Sequence, residues 1–240
     1  MSALIVIPAR MASTRLPGKP LADIAGQPMI VHVMRAAEAA NAGSVWVACA
    51  EGAIKDAVEA AGGQAVLTDP ELPSGSDRVR AAAELIDPEG QFDIIVNVQG
   101  DMPTLDPALI TDIVTPLLRN PDIDIATASV LSDDPADRTD PNVVKAVVSA
   151  SGRALYFTRA DAPSGEGGVQ HHLGVYAYRR RALEQFCALP PSPLEKREKL
   201  EQLRALEAGL YIHVTQVTVA PHGVDTPEDL ARARVILSAP

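Results

Sequence analysis

Aromatic side chains make up only 3% of this 240-residue chain, so a site that grips a planar ring chiefly by aromatic stacking is not expected. Cysteine is equally scarce. The two present, Cys49 and Cys187, lie far apart and form no C-x-x-C pair. That argues against a disulfide framework or a thiolate metal site, and it suits a reducing compartment, where a buried cysteine packs as a small apolar residue. Positive charge is in deficit: 21 Lys and Arg against 31 Asp and Glu give a formal charge of -10. Such a balance lacks the broad basic face that non-specific nucleic-acid binding requires. No apolar run approaches the roughly 20 residues of a spanning helix. The N-terminus, MSALIVIP, has neither a basic leader nor a cleavage pattern, so no signal peptide is expected. Internal repeats and low-complexity tracts are also missing. Together these absences predict a cytoplasmic protein with no nucleic-acid or membrane partner.

What is present is an ordinary globular composition, 47% hydrophobic and 22% charged, long enough for one large α/β domain with a smaller subdomain. Short apolar runs at 3–7, 44–49, 64–67 and 93–98 read as strands, and the stretches 28–40, 51–62 and 75–86 between them read as helices. A further helix is predicted over 107–118, with Asp106 as N-cap and Pro107 at the first helical position. The runs LIVI and IIVNV are apolar on both faces, as a parallel sheet covered by helices demands. The alternation predicts right-handed crossovers and a doubly wound sheet. After Asp124 the pattern changes. DIATASV, NVVKAVVS and GVYAYRR read as strands, SDDPADRTDPN as a turn-rich connection and residues 162–170 as a loop suited to a lid. Helical pattern resumes over 194–208 and 227–237.

The stretch IPARMASTRLPGKPL, residues 7–21, is anomalous: it carries Arg10, Arg15 and Lys19 and no acid, in an acidic chain. It follows the first strand, at the strand end where ligands collect in open α/β sheets. Gly18 is its only glycine, so it is neither a Walker A loop nor a G-x-G-x-x-G turn and must rely on side chains rather than a backbone nest. Arg10 suits two-pronged contact with phosphate oxygens and Lys19 serves as a movable point charge. A single cation here would be a solvated loop residue; three without an acid predict an anion site.

Two acidic elements complete the pattern. Asp101, in IIVNVQGDMP, stands just past the fourth strand of the sheet on the same rim. Asp225, in GVDTPEDL, precedes a helix start in which Thr226 and Asp229 form a capping pattern. Taken alone, either aspartate is better explained by capping or solvation. Facing a basic phosphate loop, the two carboxylates meet the needs of Mg²⁺, which binds through one or two carboxylates, water and substrate phosphates. That points to metal-assisted phosphoryl or nucleotidyl transfer.

The stretches IPARMASTRLPGKPL, VNVQGDMP, HHLGVYAY, PSPLEKREKLEQLR and GVDTPEDL resemble, in order and over almost the whole chain, those of the 3-deoxy-manno-octulosonate cytidylyltransferases, the CMP-Kdo synthetases. The resemblance implies a Rossmann-like nucleotidyltransferase fold, with a mostly parallel twisted sheet and helices on both faces. It implies one nucleotidyltransferase domain over 1–240, a sugar-binding and dimerisation subdomain near 150–210, and a homodimer. It further implies that CTP and the sugar acid Kdo are joined with release of pyrophosphate, for lipopolysaccharide synthesis. Arg10, Ser13 and Lys19 would hold the CTP phosphates, with Arg15 a weaker candidate, and Asp101 and Asp225 would bind Mg²⁺. Arg10, Lys19, Asp101 and Asp225 would form the catalytic set.

The resemblance also assigns the two substrates. Gln99 would lie between nucleotide and sugar, and Ser74, Gly75, Ser76 and Arg78 would surround the cytosine, although Ser74-x-x-Asp77 is equally a helix N-cap. Arg159, His172, Tyr176, Glu201 and Gln202 would bind the sugar. Without the resemblance, His172 is a packed or solvated histidine and Glu201 a partner of Arg204 at i+3. Met102 and His171 depart from the family pattern, which carries an acid and an arginine there. Two alternatives stay open at this stage: a cytidylyltransferase for another acidic sugar, such as 8-amino-Kdo or a sialic acid, and a catalytically silent nucleotide-binding module.

Overall fold

Leu4, Ile5, Val6 and Ile7 have no exposed surface, so the first strand, β1 (Ala3–Ala9), is covered on both faces as its unbroken apolar run requires. It belongs to a computed structural model that describes residues 3–13 and 15–238, in two compact units. One lies within residues 1–111 and 221–240, the other within 112–220.

In the first unit a short 3-10 turn, Lys19–Leu21, leads to the small hairpin β2 (Asp23–Ile24) and β3 (Gln27–Pro28). Then follow α1 (Met29–Ala39), β4 (Gly43–Cys49), α2 (Gly52–Ala60), β5 (Ala65–Leu67), α3 (Gly75–Ile86) and β6 (Ile94–Asn97). The strands pair in the order β6-β1-β4-β5, all parallel. From β1 the chain steps to β4 and then β5; from β5 it returns to the far side of β1. With right-handed crossovers, α1 and α2 therefore cover one face and α3 the other. The reversal of direction lies between β1 and β6, which makes their carboxyl ends the topological switch point where ligands bind. The helix α4 (Pro107–Arg119) begins in this unit, and the Asp106 carboxylate caps it by accepting from Ala108 N at 2.9 Å.

The second unit holds β7 (Ile125–Ser132), α5 (Pro135–Thr139), β8 (Lys145–Val148), β9 (Ala154–Thr158), β10 (Val169–Arg179), α6 (Arg180–Ala188), α7 (Pro193–Glu198), α8 (Gln202–Glu207) and β11 (Ile212–Val217). β7 is central, antiparallel to β10 and parallel to β11, while β8 joins β10 to β9. Within β10 the register breaks between Leu173, opposite Ala128, and Tyr176, opposite Thr127. This bulge re-aims the side chains on either side of it.

Three expectations need correction here. The helix predicted over 194–208 is two short helices, broken at Lys199, whose φ is 56°. The cause is non-local: the Glu198 carbonyl accepts from Arg159 Nε at 3.0 Å, and the Glu198 carboxylate accepts from Arg159 N and Thr158 Oγ1, both at 3.0 Å. Those contacts hold Glu198 against β9, and Leu200 is buried just beyond the break. The predicted loop over 162–170 ends sooner, because Val169 and Gln170 already pair in β10. The turn-rich segment contains a helical turn, α5, capped by Asp134, which accepts from Ala136 N at 2.9 Å.

The chain then returns to the first unit as α9 (Pro227–Ser238). Leu230 and Ala233 of α9, with Val224 before it, pack on Ile24 and Met29. Arg234 Nε donates to Asp23 O at 2.9 Å. This packing brings the Asp225 segment to the strand ends.

Candidate active site

A cleft of about 360 Å³ opens at the switch point, lined by the ends of β1 and β6, the start of α3 and Asp225. Its floor depends on a close approach: a Cβ on Gly100 would stand 2.8 Å from Pro8 O. The basic loop folds back on itself along one wall. Gly18, at φ 71°, donates from its N–H to Met11 O at 3.3 Å, Leu16 N donates to Ser13 Oγ at 3.3 Å, and Met11 N donates to Glu51 Oε2 at 2.9 Å. Glu51 was not anticipated; its carboxylate anchors the loop from the start of α2.

Arg10 is exposed at the mouth of this cleft. Arg78 is only 2% exposed and spends its guanidinium on Thr68 Oγ1 (2.6 Å), Asp69 O (3.0 Å) and Pro70 O (3.3 Å). Burial lowers the Arg78 pKa, and the neighbouring Arg10 charge lowers it further. Two guanidiniums that repel one another beside an open cleft favour an anion in it. Ser74 performs the capping role, accepting from Asp77 N at 3.1 Å, and still lines the cleft with Gly75. Gln99 lines it as well, donating to Asn97 Oδ1 at 3.3 Å. Ser76 does not line the cleft; it is buried in α3.

The two aspartates converge on one ammonium. Lys19 Nζ donates to Asp101 Oδ2 at 2.8 Å and to Asp225 Oδ1 at 3.0 Å, and Arg15 Nη2 lies 3.0 Å from Asp225 Oδ2. Burial pulls the Lys19 pKa down, but the charges and hydrogen bonds of Asp101 and Asp225 outweigh it and the net shift is upward. Asp225 is free to face Lys19 because its neighbours do the capping: Asp229 N donates to Thr226 Oγ1 at 3.2 Å, and Asp229 Oδ2 accepts from Thr226 N and Asp225 N at 2.9 and 3.1 Å. Arg15, the weaker candidate in the sequence, therefore faces the same carboxylate as Lys19. Among the described residues no group of three or more His, Cys, Asp or Glu side chains gathers. A pair of carboxylates within reach of one point is a hard-oxygen donor set. It fits a divalent cation that completes its shell with phosphate and water.

The residues assigned to the sugar lie in the second unit. His172 and Tyr176 flank the bulge of β10, their rings 5.6 Å apart, with Phe157 edge-on to His172 at 4.9 Å. His172 Nε2 and Thr127 Oγ1 are 3.0 Å apart, and Thr127 Oγ1 also lies 2.7 Å from Val175 O and 3.1 Å from Leu173 O. A hydroxyl has one proton and the carbonyls only accept, so Thr127 donates to the bulge and accepts from His172. His172 thus carries its proton on Nε2. Burial drives its pKa down to about 3, with the His171 charge adding to the effect, so the ring is neutral at ordinary pH. Burial raises the Tyr176 phenol, and the Glu201 charge raises it further.

Gln202 is buried, with Nε2 lacking any hydrogen-bond acceptor. Such a donor carries a desolvation cost of about 1–3 kcal/mol unless a ligand meets it. Glu201 Oε1 lies 3.7 Å from Arg204 Nη2, the i+3 pairing read from the sequence. Arg159 commits part of its guanidinium to carbonyls: Nη1 donates to Pro141 O at 2.8 Å and Nε to Glu198 O at 3.0 Å. The sequence offered no sign of Thr127, whose role depends on a bulge. It did offer a sign of Lys145, a lone cation in an apolar run. Lys145 is fully buried, and its ammonium donates to the carbonyls of Asp140, Val143 and Arg159 at 2.7–2.9 Å.

Among the described residues no helix is long and apolar enough to cross a membrane. A family model described as "Cytidylyltransferase" matches residues 4–213. The 3-deoxy-manno-octulosonate cytidylyltransferase of Parvibaculum lavamentivorans is 62% identical over 98% of this chain and 92% of its own. The protein of the same name from Rhodospirillum centenum is 61% identical over 98% and 93%. A solved structure of CMP:2-keto-3-deoxy-manno-octonic acid synthetase complexed with CTP superposes with a TM-score of 0.94 at 37% identity, covering 99% of both chains.

Proposed function

The chain belongs to the 3-deoxy-manno-octulosonate cytidylyltransferase family, and we infer from this that it transfers the cytidylyl group of CTP to 3-deoxy-manno-octulosonate. The anomeric hydroxyl oxygen forms a bond to the α-phosphorus of CTP. The bond from that phosphorus to the bridging oxygen of the β-phosphate breaks, pyrophosphate leaves with the electron pair, and the hydroxyl proton passes to solvent. The product, CMP-Kdo, is an activated sugar donor for lipopolysaccharide synthesis in the cytoplasm.

The observation that carries this reading is the meeting of Lys19, Asp101 and Asp225 at the strand ends, beside Arg10. Arg10 and Lys19 bind and orient the triphosphate and offset charge as it moves onto the pyrophosphate oxygens. Ser13 adds a hydroxyl, and Ser74, Gly75 and Gln99 hold the nucleoside. Asp101 and Asp225 hold Mg²⁺, which neutralises phosphate charge when bound. In the second unit His172, Tyr176, Glu201, Gln202 and Arg159 recognise the sugar acid. The neutral His172 and the unmet amide of Gln202 suit hydroxyl groups, and the Arg159 guanidinium suits the carboxylate. Positioning supplies much of the rate, because an oriented hydroxyl and phosphorus react as one molecule. The working protein is a homodimer, which sedimentation velocity checks.

The test is pyrophosphate release from each of CTP, ATP, GTP and UTP with Kdo, 8-amino-Kdo and a sialic acid. CTP with Kdo is expected to give the highest kcat/KM. Asp101→Asn and Asp225→Asn are each expected to lower turnover far more than they weaken CTP binding in EDTA. Preference for another sugar overturns the substrate assignment, and parental turnover of either variant at limiting Mg²⁺ overturns its ligand role.

A further inference from the structure

Asp101 and Asp225 come from segments remote in sequence, so no shared helix or hairpin sets their spacing. Two contacts tie the segments together. Val224 N donates to Asp101 O at 2.9 Å, a bond between backbone groups that does not depend on either side chain. The second depends on one hydroxyl: His222 N donates to Thr104 Oγ1 at 2.8 Å, and Thr104 Oγ1 donates back to His222 O at 3.4 Å. Thr104 stands three residues after Asp101, and His222 three before Asp225.

Each side of this clamp is stiff in itself. Leu105 N donates to Met102 O at 3.1 Å, and Pro103 and Leu105 are buried. Across from it, Asp229 Oδ2 fixes the N–H groups of Asp225 and Thr226. Two stiff segments joined at one point pivot about it; joined at two, they hold one angle. The backbone bond supplies the first point and the Thr104 hydroxyl the second.

We propose that Thr104 is a positioning residue for the Asp101–Asp225 pair, its hydroxyl holding the segment before α9 at the angle that turns both carboxylates toward one cation. This rests on the reading of the pair as a divalent-cation site. Thr104 touches neither carboxylate, so it acts through the backbone of His222.

The test uses Mn²⁺ as the probe, with free ion counted by electron paramagnetic resonance in the presence of the full chain and CTP. Thr104→Val removes the hydroxyl at nearly constant shape. It is expected to raise the Mn²⁺ dissociation constant about fivefold, the fold-change of one ordinary hydrogen bond, with CTP affinity in EDTA unchanged. Thr104→Ala is expected to match it, and Thr104→Ser to restore parental binding, which a role in packing alone would not allow. Parental Mn²⁺ binding by Thr104→Val and Thr104→Ala, or failure of Thr104→Ser to restore it, overturns the proposal. Asp225→Asn separates the two levels. If it weakens Mn²⁺ binding while Thr104→Val does not, the positioning role alone falls; if it leaves Mn²⁺ binding intact, the cation-site reading falls and the positioning role with it.

Discussion

Lys19 Nζ lies 2.8 Å from Asp101 Oδ2, although the two residues leave the sheet from different strands. The same ammonium reaches Asp225 Oδ1 at 3.0 Å. One side chain therefore serves two partners of opposite need. It neutralises a pair of carboxylates that would otherwise repel each other, and it is the compact point charge suited to a phosphate oxygen. A dication that took those carboxylate oxygens would compete with Lys19 for them and would leave its ammonium available to the nucleotide of the proposed reaction.

Lys19→Met separates these roles. Without the ammonium, the carboxylates are expected to bind Mn²⁺ more tightly in the absence of nucleotide, because a competing positive charge is gone. CTP affinity in EDTA is expected to fall by about tenfold, the scale of one charge-assisted hydrogen bond. Paramagnetic resonance of free Mn²⁺ and calorimetry with CTP read the two effects. Weaker binding of both ligands would show that Lys19 builds the cation site rather than competing for it.

Gly100 tests the floor of the cleft. An added Cβ would stand 2.8 Å from Pro8 O and 3.3 Å from Ile30 Cδ1. Pro8 lies within β1, in register with Ala48 of β4, so its carbonyl cannot yield without disturbing the sheet. Gly100→Ala is expected to separate the loops after β1 and β6, destabilise the fold by about 1–3 kcal/mol and raise the CTP dissociation constant. Urea unfolding with calorimetry checks both. Unchanged CTP binding would show that the close approach serves packing alone.

Much of the first unit was legible because its signals are local. The run LIVI is apolar on both faces and forms a strand buried on both. Ser74 with Asp77, and Thr226 with Asp229, form the reciprocal caps that their spacing announces. The cations of 7–21 were conspicuous because no acid accompanies them in sequence; the acids they meet come from β6 and from the segment before α9. In the second unit the deciding contacts are distant. Residues 194–208 carry a continuous helical pattern, and only the pull of β9 on Glu198 breaks it. β9 and β11 lie outside the strands read from the sequence, and Arg180, the first residue of α6, falls at the end of the run GVYAYRR that reads as a strand. The Thr127 hydroxyl gains its role from a bulge in the strand beside it, which leaves no trace in its own neighbourhood.

His172 makes stability depend on pH. Burial holds its folded-state pKa at about 3, against 6.5 for the free side chain. As pH falls, the unfolded chain takes the proton first. The contribution of a neutral, buried His172 is therefore complete above about pH 6.5 and is lost progressively down to about pH 3. Over that window it amounts to about 1.4 kcal/mol per pH unit. His172→Gln, which has no proton to take, is expected to show a shallower fall. Unfolding free energies of parent and variant from pH 7.5 to 4.5 isolate this group, because all other titrations are shared. Parallel curves would mean that the ring accepts its proton without unfolding.

The Glu195–Arg204 pair holds α7 and α8 together. α7 spans only Pro193–Glu198, too short to persist alone. Glu195 completes a capping box with Ser192, and its two oxygens accept from Arg204 Nε at 2.8 Å and Nη2 at 2.6 Å. Arg204 also lies over the Phe186 ring, 5.1 Å from its centre, and donates to Leu189 O at 3.1 Å. Its hydrogen bonds hold the Glu195 carboxyl below the ordinary value although burial pushes the other way. A depressed carboxylate stabilises above its unfolded value of 4.5 and loses that contribution as pH falls through the folded value. Glu195→Gln removes the two-pronged partner of a guanidinium that little water reaches and leaves Glu201, 3.7 Å away, as its charge partner, at a cost of about 1–3 kcal/mol near pH 7. The gap between parent and variant is expected to narrow below about pH 4, as the parent's own carboxyl protonates. Because Glu201 and Gln202 ride on the segment this pair fixes, the variant is also expected to raise KM for the sugar acid while leaving KM for CTP near parental. Equal rises in both would indicate general loosening instead of a local one.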